Sequence, residues 1–332
     1  MSTDVIDFIK KDESECVDFE ISKHGETKSG NKFIRFNAHF RFGKNTFFST
    51  YWKPGGEDEI SERNIKALVF ISHGFAEYLN YSYEEVARYW ATKLGSDEDG
   101  GGGCLVFGHD HVGHGRSSGK RAGATKMQEY VNPIIAHIEA VKEWYPGDEE
   151  LPVYLVGHSM GALISLFLLF ECQSMFSGFV ALTPLVDLDT DMISPIKRFL
   201  AVHSPALCSP LQLGSFSCEL MTRDIKKVKR IKKDNLFWHG GTTSGHDGLL
   251  ISSCEVATDN LFKITIPLLV FQGEKDEYEN PEGAKMMFEE VASVDKDFIT
   301  YPEACHHLLI ELEEVKLDVF NKTLQWMSQR LS

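Results

Sequence analysis

Leu155-Val156-Gly157-His158-Ser159-Met160-Gly161-Ala162 is the stretch that decides the fold of this chain. The short apolar run at 152–156 is typical of a buried strand, and the longer apolar run at 162–170 is typical of a buried helix. A strand that turns into a helix over so few residues crowds its own backbone, and the two glycines remove side chains that would collide. Such a turn lifts a serine hydroxyl out of the sheet, within reach of a base. The pattern therefore predicts that Ser159 is a nucleophile.

Apolar strands alternate with helical patterns on both sides of this stretch. Strands are predicted at 67–72, 104–107, 152–156, 178–182, 267–271 and 297–301, and helices at 83–94, 127–144, 162–170, 281–291 and 311–331. The first fifty-odd residues are β-rich at 16–23, 32–42 and 46–52, which favours a meander at the edge of a larger sheet. Strands that alternate with helices predict an α/β fold whose mainly parallel central sheet has helices on both faces.

The alternation stops between residues 186 and 261. This region has a helical pattern interrupted by Pro195, Pro205 and Pro210, and it is too long to be a loop of a compact domain. We therefore expect a helical cap at 186–261, inserted between two parts of the core at 1–185 and 262–332.

Composition and charge restrict the partners and the compartment. The 332 residues carry a formal net charge of −15, which argues against nucleic acid as a partner because the phosphate backbone would be repelled. The seven cysteines lack paired spacing, which favours reduced thiols and a cytoplasmic location. The amino terminus lacks the features of a secretory signal, and no uncharged apolar stretch reaches the roughly 18 residues that span a bilayer. Peripheral contact with a membrane surface stays open.

A serine nucleophile needs a base, and the base needs an orienting acid. On a sheet of this kind the acid and then the histidine follow the serine, each on a loop after a later strand. Asp276 follows the strand at 267–271, and His306 follows the strand at 297–301, so we predict these as the acid and the base. Glu274 and Glu279 compete with Asp276, and the adjacent His307 competes with His306.

The tetrahedral intermediate also needs hydrogen-bond donors aimed at its oxyanion. The backbone N–H of Met160, directly after the nucleophile, is one candidate. The second candidate is the N–H of Phe75 in the turn after the strand at 67–72, where Gly74 permits close approach of the backbone.

The segment 108–117 contains three histidines and an aspartate, which raises the question of a metal site. Its spacing matches no zinc pattern, and the chain has no HExxH motif. A glycine-rich turn of hydrogen-bonded polar groups explains the segment better, and we expect neither a metal nor a cofactor.

Together these motifs resemble the monoglyceride lipase group of α/β-hydrolases. The motifs that carry the resemblance are His73-Gly74-Phe75, Asp110-His111-Val112-Gly113-His114-Gly115-Arg116-Ser117, Gly157-His158-Ser159-Met160-Gly161, Gln272-Gly273-Glu274-Lys275-Asp276 and Ala304-Cys305-His306. The similarity runs in order from about residue 30 to the end and weakens through the cap. It implies a serine esterase that releases fatty acid from a monoacylglycerol through an acyl-enzyme, without a cofactor.

The chain departs from the vertebrate pattern near the polar end of the expected pocket. The turn after Gly74 is about one residue longer and lacks the arginine expected shortly after Glu77. Leu309 stands where the vertebrate enzymes carry a second histidine, and residues 277–280 replace the cysteine that follows their catalytic aspartate. Recognition of glycerol is therefore less firmly implied than ester hydrolysis, and Glu77 is a candidate contact for the substrate head group.

Two features of the cap bear on lipid binding. Ile196, Phe199 and Leu200 recur at helical spacing, as expected either for the lining of an acyl channel or for packing of the cap on the core. The basic run at 223–233 would place Ile225, Val228 and Ile231 on one helical face with the cations outside it. Such a run is either a solvated helix or a surface attracted to anionic lipid.

Three other functions stay open at this point. Two of them are enzymatic: a lysophospholipase or broader esterase, and an aminopeptidase of the same fold. A catalytically inactive lipid-binding or receptor protein is an alternative of another class. The sequence leaves the oligomeric state unknown.

Overall fold

The computed structural model describes residues 17–20, 33–55, 65–96, 102–145, 150–187 and 217–331. These residues form one nine-stranded sheet in the order β1-β2-β3-β5-β4-β6-β7-β8-β9. The strands are β1 Val17–Glu20, β2 Phe33–Phe42, β3 Asn45–Pro54, β4 Ile65–Ser72, β5 Gly103–His109, β6 Val153–His158, β7 Gly178–Leu182, β8 Leu268–Gly273 and β9 Lys296–Tyr301.

The sheet has two parts that differ in strand direction. β1, β2 and β3 pair antiparallel, and β3 also pairs antiparallel with β5. The six strands from β5 to β9 in the sheet order are mutually parallel. This arrangement confirms the predicted α/β class and the meander at the sheet edge.

Helices cover both faces of the parallel part. The described helices are α1 Leu79–Ser82, α2 Glu84–Lys93, α3 Gln128–Glu143, α4 Met160–Cys172, α5 Ile225–Ile231, α6 Ser244–Thr258, α7 Pro281–Glu290 and α8 Glu313–Ser328. Side chains alternate along each strand, so Leu155 of β6 packs in one core layer with α3 and α4, while Val156 packs in the other with α2 and α8. Burial on both faces explains why β4 to β8 are mainly continuous apolar runs rather than alternating ones.

Between β7 and β8 the described residues 217–263 include the helices α5 and α6, joined by irregular segments, and contribute no strand to the sheet. The division of the chain at 186 and 261 stays a prediction. Residues 188–216, which include Ile196, Phe199 and Leu200, lie outside the described residues.

The basic run forms α5, with the side chain of Asp224 accepting hydrogen bonds from the backbone N–H groups of Lys226 and Lys227 at its amino end. Val228 and Ile231 are buried in a small cluster with the aromatic rings of Tyr78, Tyr81 and Phe237. Ile225, the third apolar residue of the predicted face, is 67% exposed. Helix α5 begins at Ile225, which leaves this residue at the exposed amino end of the helix. None of the described helices is long and apolar enough to cross a membrane.

Candidate active site

Ser159 stands at the junction of β6 and α4 in a strained conformation. Its φ of 52° and ψ of −121° place it where residues with a side chain are uncommon. A Cβ atom on Gly161 would lie 2.0 Å from the Ser72 carbonyl oxygen, and one on Gly157 would lie 2.7 Å from the Ala162 Cα. Both neighbouring glycines are therefore required for the close approach of the backbone, as the sequence pattern predicted.

Asp276 lies just past the end of β8 and is held by four hydrogen bonds. Its Oδ2 lies 2.8 Å from His306 Nδ1 and accepts from Gln272 Nε2 at 3.3 Å. Its Oδ1 accepts from the backbone N–H groups of Tyr278 and Glu279 at 2.9 and 3.0 Å. Burial raises the pKa of Asp276, but the charge of His306 and these hydrogen bonds outweigh burial, so the net pKa is lowered. The group is an ionised acid at neutral pH.

His306 follows β9 and is almost fully buried. Its ring packs against the rings of His158 and Tyr278, with centroids 4.9 and 5.2 Å apart. Burial lowers the pKa of His306, but the charge and hydrogen bond of Asp276, together with Glu279, outweigh burial and raise it overall. Because Nδ1 donates to Asp276, Nε2 is the nitrogen that can act as a base.

The competing residues occupy other positions. His307 directs its Nε2 to Glu77 Oε2 at 2.8 Å rather than to Asp276. Glu274 is exposed, and Glu279 contacts the serine rather than a histidine. Asp276 and His306 are thus the acid and histidine that the structure pairs.

Glu77 has a different environment from the one expected. It is fully buried, and its Oε1 accepts from the Gly74 N–H at 2.6 Å, the Tyr83 hydroxyl at 2.7 Å and His158 Nδ1 at 2.7 Å. His307 donates to its other oxygen. Both oxygens are bonded to protein groups, so the expectation of a head-group contact is corrected: Glu77 fixes the turn that carries Phe75 and braces the histidine that precedes Ser159.

Burial raises the pKa of Glu77, but the facing His307 and His158 outweigh burial and hold the pKa well below its usual range. Glu77, His158 and His307 are also a group whose possible metal-ligand atoms all lie within 4.8 Å of one another. The histidine nitrogens, however, lie 2.7 and 2.8 Å from the carboxylate oxygens. Ligands of one tetrahedral zinc ion would stand about 3.3 Å apart at normal bond lengths. Hydrogen bonding explains this cluster better than a metal.

The two expected oxyanion donors lie at adjoining backbone segments. Met160 begins α4, and Phe75 lies in the turn after β4. The turn at Ser159 packs through Gly161 against the end of β4. Within the described part of the chain, neither N–H has a backbone acceptor. Both groups remain available for a ligand, and their role stays a prediction.

Comparison of the sequence with known proteins agrees with the pairing of Asp276 and His306 near Ser159. The sequence pattern of the family described as serine aminopeptidase, S33, matches residues 63–313. Human monoglyceride lipase is 34% identical over 283 residues, which cover 85% of this chain and 87% of that protein. The chain belongs to the monoglyceride lipase family of serine hydrolases. Rat monoglyceride lipase is 32% identical over 285 residues, covering 86% of this hydrolase and 88% of the relative.

The fold of this hydrolase also matches a solved relative. A soluble variant of monoglyceride lipase from Saccharomyces cerevisiae, solved with a substrate analogue, aligns with a TM-score of 0.73 over 89% of this chain and 95% of that one. The sequence identity is 19%, so this likeness concerns the fold alone.

The histidine-rich segment of the hydrolase is a hydrogen-bonded turn. Asp110 accepts from the backbone N–H groups of Leu79 and Arg116 at 3.1 and 2.9 Å, which ties the turn to the start of α1. The N–H of His111 donates to His73 Nε2 at 2.8 Å. The segment therefore supports the loop that carries Phe75.

One contact in the site of the hydrolase was not predicted from the sequence. The Ser159 hydroxyl donates to Glu279 Oε1 at 3.0 Å, and no hydrogen bond joins the described residues Ser159 and His306. The sequence offered Glu279 only as a competitor of Asp276. No local pattern could place its carboxyl on the serine, because the two residues are 120 positions apart.

Proposed function

We propose that this hydrolase cleaves the carboxylic ester of monoacyl lipids, with a monoacylglycerol as substrate and a fatty acid and glycerol as products. The observation that carries the proposal is the Asp276–His306 hydrogen bond, on loops beside the strained Ser159 turn. The substrate class is supported by kinship with the human protein named monoglyceride lipase along 85% of the chain.

Acylation begins when the Ser159 hydroxyl turns from Glu279 to His306 Nε2. The oxygen attacks the ester carbonyl while His306 takes its proton, and Asp276 stabilises the imidazolium that forms. The backbone N–H groups of Phe75 and Met160 donate to the oxyanion of the tetrahedral intermediate. Its collapse breaks the bond to the alcohol oxygen, which takes the proton from His306 and leaves as glycerol.

Deacylation repeats these steps with water as the nucleophile. His306 takes a proton from the water, the oxyanion forms again between the same donors, and Ser159 leaves with the proton from His306. The fatty acid is released and the enzyme returns to its starting state. Every proton transfer is assigned to a residue of this chain, so the mechanism needs no cofactor.

The acyl route is proposed from the sequence pattern of Ile196, Phe199 and Leu200. In this proposal Phe199→Asp puts a charge where the acyl chain passes, and burying that charge is costly. The substitution is expected to reduce hydrolysis of long-chain esters much more than hydrolysis of a soluble butyrate.

We also propose that α5 contacts an anionic lipid surface. Lys226 and Lys229 of α5 and Lys233 just after it are exposed, as is Ile225 at the start of α5, and none of the three lysines has an ion pair with a described residue. Such a combination of cations and an apolar side chain suits the surface of an anionic bilayer. It occurs in a chain whose net charge of −15 would otherwise be repelled by that surface.

Vesicle sedimentation tests this contact. The triple variant Lys226→Glu, Lys229→Glu and Lys233→Glu is compared with Lys44→Glu, Lys66→Glu and Lys126→Glu, which reverses three exposed charges elsewhere. Only the first variant should lose binding to anionic vesicles, and the difference should fade as added salt shortens the Debye length below about 10 Å. Equal binding by both variants would contradict the proposal.

A substrate panel tests the proposed function. Release of oleate from monooleoylglycerol is compared with its release from a lysophospholipid of the same acyl chain, and with cleavage of an aminoacyl amide. We expect the highest kcat/KM for the monoacylglycerol, with no activity in Ser159→Ala. Preference for the lysophospholipid or the amide would replace the proposed substrate. Wild-type activity no higher than that of Ser159→Ala would instead indicate a binding protein.

A further inference from the structure

Glu279 is a buried acid that contacts the nucleophile and has no part in the triad. It lies on the loop between β8 and α7 and is 7% exposed. Its Oε1 accepts the Ser159 hydroxyl at 3.0 Å, and its backbone N–H donates to Asp276 Oδ1 at 3.0 Å. Its Oε2 is buried without a hydrogen-bond partner among the described residues. The carboxyl is thus fixed between the triad acid and the triad nucleophile.

The Ser159 hydroxyl carries a single hydrogen, so it can donate fully to only one acceptor at a time. In the structure that acceptor is Glu279, whereas acylation requires it to be His306 Nε2. The strength of the competing bond depends on the charge of the carboxyl, because a hydrogen bond to an ionised acceptor is roughly twice as strong as one to a neutral acceptor.

We propose that Glu279 is a positioning residue that holds the Ser159 hydroxyl away from His306, weakly as a neutral acid and strongly as a carboxylate. Loss of the Glu279 proton therefore slows acylation. This inference rests on the proposed role of Ser159 as nucleophile.

Among the described residues, three titratable groups face this carboxyl. They are His306, Asp276 and, from α6, the buried thiol of Cys254. Burial raises the pKa of Glu279 to about 8. The charge of Asp276 also raises this pKa, and the charge of His306 lowers it. Burial also raises the pKa of Cys254 well above its usual value, so the thiol stays neutral. The change of charge near pH 8 thus belongs to Glu279 in its interaction with His306 and Asp276.

The consequence is a fall in activity on the alkaline side. An ester hydrolase whose only titrating group is its histidine base gains activity as that base loses its proton and then holds a plateau. Here kcat/KM should instead decline above about pH 8, as the carboxylate forms and retains the serine hydroxyl. The decline should be about tenfold, since hydrogen bonds to charged and to neutral acceptors differ by roughly that factor in equilibrium constant.

The test is the pH profile of kcat/KM between pH 5.5 and 9.5 for a soluble butyrate ester. Wild type is compared with Glu279→Gln, which keeps an oxygen acceptor that cannot ionise, and with Glu277→Gln, which removes an exposed acid from the same loop. The rate of labelling by a fluorophosphonate is measured over the same range as a second readout. Each profile is normalised to its own value at pH 7.

We expect wild type and Glu277→Gln to decline on the alkaline side, and Glu279→Gln to hold a plateau in both readouts. An alkaline decline of equal size in Glu279→Gln, or its absence in wild type, would overturn the inference. A Ser159→Ala control distinguishes failure of the proposed nucleophile from failure of the proposed role of Glu279. Hydrolysis that persists in this control would refute the nucleophile itself, whereas its loss together with an unchanged Glu279→Gln profile would refute the role of Glu279 alone.

Discussion

The buried carboxyl of Glu279 should contribute to the pH dependence of the stability of the fold, and Glu279→Gln should remove that contribution. Glutamine has nearly the same shape and keeps an oxygen that accepts the Ser159 hydroxyl, so the contact at 3.0 Å can persist. The substitution removes mainly the ability to ionise. Its effect on stability therefore reports the cost of a negative charge at this buried position.

The size and sign of the effect follow from the pKa of Glu279. Burial raises this pKa from 4.5 to about 8, so between these two values the folded chain keeps a proton that the unfolded chain releases. The contribution of Glu279 to stability must then fall as pH rises from about 4.5 to about 8, by roughly 1.4 kcal/mol for each pH unit. Relative to a glutamine, Glu279 should cost less than about 1 kcal/mol at pH 5 and about 3 kcal/mol at pH 7.

Chemical denaturation at pH 5 and pH 7 measures this difference. The free energy of unfolding of Glu279→Gln should exceed that of wild type at pH 7 and nearly equal it at pH 5. Glu277→Gln is the control, because it makes the same chemical change at an exposed position of the same loop. If the difference between Glu279→Gln and wild type were the same at both pH values, the carboxyl would not be held protonated in the folded state, and the reasoning would fail.

Four further substitutions probe the site. Asp276→Asn should keep the fold but reduce kcat by about 10⁴-fold, because the His306 ring loses its counter-charge and its correct tautomer; a fall of less than tenfold would remove Asp276 from the triad. His306→Ala should abolish turnover, whereas His307→Ala should mainly destabilise the fold by about 1–3 kcal/mol, since it removes a donor from the buried Glu77; the reverse result would move the base by one position. Gly161→Ala should sharply lower the melting temperature, because its Cβ would lie 2.0 Å from the Ser72 carbonyl oxygen; an unchanged melting temperature would contradict the packing at the elbow.

Local sequence patterns were sufficient to predict the fold and the turn at Ser159. A strand buried on both faces is a continuous apolar run, and the turn at Ser159 needs small residues on both sides, so both features can be recognised without knowledge of distant contacts. The order of serine, acid and histidine along the chain then indicated the loops after β8 and β9. The pairing of Asp276 with His306 agrees with that order.

The features that the sequence did not predict depended on contacts between distant segments. Glu77 was expected at the pocket, but four donors enclose its carboxylate, and one of them, His307, is 230 positions away. The sequence placed Ile225, Val228 and Ile231 on one helical face but did not indicate that only the last two are buried, because the helix begins at Ile225 and leaves it exposed. Periodicity gives the face of a residue within a helix, but not where the helix begins against the rest of the fold.

The most direct test of the proposed mechanism is to identify the residue that a fluorophosphonate modifies. Wild-type protein is labelled with and without prior incubation with a monoacylglycerol, digested, and analysed by peptide mass spectrometry beside Ser159→Ala. We predict one phosphonyl adduct, on Ser159, which the monoacylglycerol suppresses and which the variant lacks. An adduct on another residue, or equal labelling of Ser159→Ala, would contradict the assignment of Ser159 as the nucleophile.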